Sequence, residues 1–217
     1  MKLSDFVIVI GRQCGSGGRE LGHKLATRLG VKYYDRELLM KVAEEEGISP
    51  GFLAANDEKK PSLLKSMLSA CLGVQSDPYP GEGFNGDELL QATGCVVRKI
   101  MEGEGCVIVG RAADYIGRDL PNMVSVFLHA DLPVRVACVK KREGSGDPGG
   151  FVAEKIRKAD SRRRDFYNYV TGRNWGETDN YHLSFDTGKI SLDAVADLIE
   201  LYLKHRAEAL SAAEAAS

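Results

Sequence analysis

Phe6-Val7-Ile8-Val9-Ile10 runs directly into Gly11-Arg12-Gln13-Cys14-Gly15-Ser16-Gly17-Gly18-Arg19-Glu20-Leu21-Gly22. The first five residues are an unbroken apolar run rich in β-branched side chains, the pattern of a strand buried on both faces. Four glycines, a serine and two arginines follow between Gly11 and Arg19, more than an ordinary strand-to-helix turn requires. Small residues let backbone N–H groups turn inward, and the helix that begins after them directs its positive dipole end at the same point. Strand, glycine-rich loop and helix start together read as a cradle for phosphate.

The cradle departs from the standard G-x-x-x-x-G-K-[ST] pattern, in which a lysine serves the β/γ-phosphates and a hydroxyl holds magnesium. Here Gly18, Arg19 and Glu20 follow Gly17, and the loop contains no lysine. Arg19 is the expected substitute, offering a planar donor fork in place of a point charge. The candidate phosphate-binding residues are therefore Gly15, Ser16, Gly17, Gly18, Arg19 and Glu20. The metal ligand stays unassigned.

A chain of 217 residues can bury one substantial core, so a single α/β domain over 1–217 with mobile subregions is expected. The formal charge of −2 gives no general attraction to nucleic acid or to an anionic membrane. Cys14, Cys71, Cys95, Cys106 and Cys138 form no C-x-x-C pair and are odd in number, which argues against a disulfide framework or a zinc site and for a reducing, cytoplasmic setting. No apolar run approaches the roughly 20 residues of a membrane span, so neither an anchor nor a leader is expected.

Beyond the loop, Leu21, Leu25 and Leu29 mark a helix that Gly30 stops. Val31–Tyr34 reads as a second strand ending at Asp35, and helical patterns follow to about Cys71. Turn formers crowd the stretch from Ser76 to Gly86, which reads as a surface loop. Asp87 can cap a helix running to Met101. Cys106–Val109 is a third strand ending in Gly110-Arg111, and Val124–Leu128 is a fourth. A helix over Val134–Arg142, a glycine-rich hinge from Glu143 to Gly150 and a long helix over Phe151–Val170 come next. Tyr181–Phe185 reads as a fifth strand, Ser191 caps an amphipathic last helix, and the alanine-rich end from Ala207 is expected to fray. Strands alternating with helices imply a mostly parallel sheet whose ligands sit at the carboxyl ends of the strands.

With those positions fixed, the chain resembles the cytidylate kinase-like family, a branch of the P-loop nucleoside monophosphate kinases. The resemblance is carried by Gly11 to Glu20, by Tyr33-Tyr34-Asp35-Arg36-Glu37-Leu38, by Gly110-Arg111-Ala112-Ala113-Asp114-Tyr115-Ile116, and by Tyr169 to Gly176 with Asn180-Tyr181. It implies a three-layer α/β/α P-loop fold with a five-stranded parallel sheet. It also implies a helical acceptor-binding region over about 36–102 and a mobile lid over about 143–176. Ordinary members carry Gly-Arg-Asp after the third strand; here Ala112 stands in the aspartate's place and Asp114 lies two residues on. The lid helix keeps an Asp and an Arg three residues apart, Asp160 and Arg163.

Phosphoryl transfer depends on positioning and on cations around the non-bridging oxygens. Arg19, Arg111 and Arg163 are the expected catalytic cations, with Arg162, Arg163, Arg164 and Asp160 forming the lid. Arg111 also grips the acceptor phosphate, against the alternative of a surface ion pair. Asp35 either takes an acceptor hydrogen bond or caps the helix after it, and Asp114 joins the acceptor site by resemblance. A monophosphate acceptor, with a second pKa of about 6, needs no general base. His23, His129, His182 and His205 are accordingly read as structural, and Trp175 chiefly as packing. The expected activity is transfer from ATP, with Mg2+, to a nucleoside monophosphate, CMP or dCMP first. The alternatives are a kinase of another small metabolite and a nucleotide-binding sensor. Nucleotides are the expected partners, and the oligomeric state is left open.

Overall fold

The computed structural model describes residues 1–35, 94, 96–144 and 149–215. Most of the expected acceptor-binding region, the 76–86 loop and residues 145–148 of the expected hinge lie outside the described residues.

β1 (Val7–Arg12) is the centre of the molecule, and Val7, Ile8, Val9 and Ile10 are wholly buried. Alternate side chains leave it in opposite directions. Ile8 and Ile10 join a core with Leu21, Leu25, Val195, Ile199 and Leu203, whereas Val7 and Val9 join another with Val97, Met101, Ile108 and Ile116. Helices thus cover both faces, which is why the strand reads as continuously apolar. Each buried aliphatic side chain contributes about 1.5–3 kcal/mol.

The remaining strands are β2 (Lys32–Tyr34), β3 (Cys106–Val109), β4 (Met123–His129) and β5 (Leu183–Asp186). All five are parallel, in the order β2-β3-β1-β4-β5. The helices are α1 (Gly18–Leu29), α2 (96–102), α3 (Ala113–Ile116), α4 (Leu132–Glu143), α5 (Gly149–Thr171) and α6 (Leu192–Ala215). This is the expected α/β/α architecture with a five-stranded parallel sheet.

Several boundaries differ from the sequence expectation, and three of them have a clear packing reason. β1 continues through Gly11 and Arg12, because β4 is long enough to pair Gly11 with Phe127 and Arg12 with Leu128. β5 starts at Leu183, since a 3-10 turn over Thr178–Asn180 precedes it and the Tyr181 ring packs on Phe127. α6 runs on to Ala215 where fraying was expected: Ala207 lies in the core and Leu210 packs against it, extending the stripe of Val195, Ile199 and Leu203 by one more turn. The Ser191 hydroxyl accepts the Ala194 N–H at 3.2 Å, the expected cap. No helix among the described residues is long and apolar enough to cross a membrane.

Candidate active site

The loop between β1 and α1 needs glycine at two places. Gly15 (φ 86°) and Gly17 (φ 83°) both lie in the left-handed region, and Gly17 is the N-cap of α1. A Cβ at Gly15 would also stand 2.7 Å from the Arg135 carbonyl oxygen, so α4 packs directly on the loop. Gly18 is the first residue of α1, with Arg19 and Glu20 exposed behind it. The Ser16 hydroxyl is buried and turned inward, 2.9 Å from the Gln13 carbonyl oxygen and 3.2 Å from that of Leu128. Ser16 therefore fixes the loop's shape, while its backbone remains part of the cradle.

Two helices clamp this loop. Asp160 of α5 is buried, and its Oδ1 accepts the Cys14 N–H at 2.6 Å. Its Oδ2 accepts a hydrogen bond from Arg135 Nη1 at 2.5 Å. Arg135, buried on α4, also donates to the carbonyl oxygens of Ala130 (2.9 Å) and Cys14 (3.2 Å). Both ions are thus paired and hydrogen-bonded, as a buried pair must be. Arg135 was missed by the sequence reading. Its signal was an arginine three residues after Leu132 and four before Val139, on the apolar side of a helix.

Four guanidinium groups converge beyond the carboxyl ends of β1 and β3. Arg19 pairs with Asp35 at 3.0 Å, which ties the start of α1 to the end of β2. Arg163 of α5 donates to the Arg12 carbonyl oxygen at 3.2 Å and lies 3.6 Å from Asp160 Oδ1. Arg19, Arg111 and Arg163 all repel the Arg12 guanidinium, and among the described residues no carboxylate forms an ion pair with Arg12. Burial, reinforced by Arg163 and Arg111, lowers the Arg12 guanidinium to about 9, so it stays charged at neutral pH in an environment that disfavours the charge.

Arg111 sits in an unusual backbone. Gly110 (φ 85°), Arg111 (φ 66°) and Ala112 (φ 51°) are left-handed in succession, and only the first is a glycine. This strained stretch stands at a strand end, beside the cluster of like charges. The arginines expected in the lid diverge, with Arg163 turned inward and Arg162 on the outer side of the helix. Arg164 borders a cleft of about 450 Å³ that also involves Gln13, His129, Asp131 and Trp175. Trp175 packs edge-on to Phe127 of β4. His182 Nδ1 accepts the Ser125 N–H at 3.0 Å, and burial holds the imidazole below its ordinary pKa, consistent with a structural histidine.

A model of the cytidylate kinase-like family matches residues 7–189. The chain belongs to the cytidylate kinase-like family. A search of curated proteins gives no match. Among solved structures, an uncharacterized protein from Eubacterium ventriosum is 26% identical with a TM-score of 0.68, covering 92% of this chain and 98% of its own. A gluconokinase from Sinorhizobium meliloti (15% identical, TM-score 0.54, 97% and 98% covered) and a sugar kinase from Janibacter sp. (14%, 0.51, 92% and 94%) share the fold. The chain shares the fold of these kinases, and membership of the cytidylate kinase-like family supports a phosphotransferase.

The family implies ATP, typically with Mg2+, and the residues present fit a polyphosphate. The loop has two left-handed glycines, a helix N-terminus and a cluster of arginines around the half-buried Arg12. No group of three or more metal-ligating side chains occurs among the described residues. Magnesium commonly binds through phosphate oxygens, water and one or two carboxylates, and Glu20 is the carboxylate that the loop offers.

Asp114, expected in the acceptor site, is buried. Tyr167 Oη donates to its Oδ2 at 2.6 Å, joining α3 to α5. Burial raises the carboxyl to about 6, with the Tyr167 hydrogen bond opposing the shift. A carboxyl whose folded pKa exceeds its unfolded value stabilises the fold below the unfolded pKa, and that stability is lost as pH rises through the folded one. Stability is therefore expected to fall between about pH 4 and pH 7, with Asp114 contributing on the order of 2–3 kcal/mol to the slope. Asp114→Asn keeps the acceptor oxygen and should flatten the profile. Denaturant titrations of both proteins across that range check this, and an unchanged slope would assign the pH dependence elsewhere.

Proposed function

We propose that the protein transfers the γ-phosphoryl group of ATP to a small phosphorylated acceptor, a nucleoside monophosphate, with CMP or dCMP first. The observation that supports it is the convergence of Arg12, Arg19, Arg111 and Arg163 beyond one helix N-terminus, with Asp35 paired to Arg19 and Asp160 beside Arg163. That much positive charge suits two phosphate-bearing ligands facing each other.

Bound ATP supplies the transferable phosphoryl group; the protein positions it and compensates charge. The loop N–H groups and the α1 dipole hold the donor's polyphosphate. Arg111 grips the acceptor phosphate from the end of β3, and Arg163 spreads its charge over the oxygens between the two ligands. Arg19 draws Asp35 into the acceptor side, where the carboxylate accepts a hydrogen bond from ribose or base. With α5 seated on the loop, Asp160 and Arg163 exclude water that would otherwise compete with the acceptor. The acceptor is largely dianionic at neutral pH and requires no general base. The same reading places the protein in the cytoplasm.

A coupled ADP-release assay with ATP and Mg2+ across CMP, dCMP, UMP, AMP and gluconate tests this. Turnover with CMP or dCMP above the other acceptors is the expected result. Turnover with gluconate alone would make the protein a kinase of another metabolite. ATP binding without acceptor-dependent turnover would make it a sensor.

A further inference from the structure

We propose that Arg12 is the cation that grips the donor polyphosphate, in the role a loop lysine holds in the standard pattern, and that Gly18 lacks a side chain because Arg12 crosses it. Gly17, the left-handed N-cap of α1, stands where G-x-x-x-x-G-K-[ST] has its second glycine. Counting outward from Gly17, the pattern's first glycine falls on Arg12 and its lysine on Gly18. A glycine has become a cation at one end of the loop, and the cation has become a glycine at the other.

The geometry makes these two departures complementary. A Cβ built on Gly18 would stand 2.9 Å from Arg12 Cβ, 2.8 Å from its Cγ and 3.4 Å from its Cδ. The Arg12 stem therefore lies across the first residue of α1, in the space through which a lysine at position 18 would leave the helix. Its guanidinium continues to the end of β3, where a Cβ on Gly110 would collide with Nη1. Both glycines are openings for one side chain. Arg163 fixes the backbone of Arg12 through its carbonyl oxygen, so the side chain starts from a held position. Arg19, by contrast, is more than half exposed and directed to Asp35 on the β2 side. The lowered proton affinity of Arg12 agrees with a cation awaiting an anion.

This inference rests on the proposed function only in taking a nucleoside triphosphate as ligand, and its test needs no acceptor. Calorimetric titration with Mg-ATP is applied to wild type, Arg12→Ala, Gly18→Lys and the double variant. Arg12→Ala should weaken ATP binding about tenfold or more, the range of a charge-assisted hydrogen bond. Gly18→Lys alone should also bind poorly, because the introduced lysine and Arg12 compete for one space. The double variant, which restores a lysine to the vacated space, should recover most of the affinity. Wild-type affinity in Arg12→Ala, or a double variant no better than Arg12→Ala, would overturn the assignment.

Thermal unfolding guards against a merely structural explanation. Arg12→Met should unfold at or above the wild-type temperature, since it removes a crowded cation. A clearly lower temperature with unchanged ATP affinity would make Arg12 a packing residue. If the wild-type protein binds ATP but phosphorylates no monophosphate, the acceptor assignment fails while the Arg12 series still decides this one.

Discussion

Replacing Arg111 by glycine is expected to lower turnover about a thousandfold, the scale on which an arginine supports phosphoryl transfer, while the fold keeps its stability or gains about 1 kcal/mol. The two effects have separate causes. Arg111 holds φ at 66° between Gly110 and Ala112, a conformation that costs a non-glycine residue on the order of 1 kcal/mol and costs glycine almost nothing. The guanidinium, in contrast, is the cation proposed to meet the acceptor phosphate, and it stands close enough to Arg12 to repel it. Arg111→Ala should lose as much turnover without the gain in stability, since alanine inherits the strained backbone. ATP affinity without acceptor should change little in either variant. Steady-state kinetics, calorimetry with ATP alone and denaturant unfolding measure the three quantities. Collapse of ATP affinity would move Arg111 to the donor side, and near-normal turnover would remove it from the reaction.

Asp160→Ala carries the largest expected cost in stability, about 3–5 kcal/mol, because it leaves the buried Arg135 without its counter-ion and the Cys14 N–H without its acceptor. For a chain of this size that corresponds to a fall in Tm of roughly 10 °C. Asp160→Asn preserves one acceptor oxygen but supplies no charge to Arg135, and should fall between the two. Loss of the clamp should also free α5 from the loop. Hydrogen exchange in α5 should then quicken while β1 and β4 stay protected, since local opening of a helix on the edge of the site is less costly than opening of the central sheet. Unchanged exchange in Asp160→Ala would show that the apolar contacts of Val152 and Ile156 with Val139 hold α5 by themselves. Thermal denaturation and exchange measured on the same preparations separate these outcomes.

The sheet was legible because β1, β3 and β4 are buried on both faces and so read as plain apolar runs. The glycine stop at Gly30 marked the end of α1, and its left-handed backbone is the physical reason glycine is there. Arg12 was harder to place. The apolar run ends at Ile10, and nothing local says that β4 will carry the ladder two residues further, so Arg12 read as part of the loop. Its relation to Gly18 and Gly110 is likewise tertiary. The Arg135–Asp160 pair spans 25 residues and two helices; Asp160 was read only as the lid partner of Arg163, and Arg135 as one more charge on a charged helix. Asp114 was expected in the acceptor site by resemblance, and only the position of Tyr167 shows that it faces the protein interior. Local pattern revealed the elements; pairings between distant segments decided which way their polar residues face.

The four arginines of the site come from four places: the last residue of β1, the first turn of α1, the end of β3 and the middle of α5. None adjoins another in the sequence, and the chain that carries them is slightly acidic. Unfolded, it presents scattered charges that a polyanion has little reason to prefer over buffer. Affinity for phosphate is therefore created by tertiary structure and is not inherited from composition, and fragments that omit α5 would lose it even with the glycine loop intact.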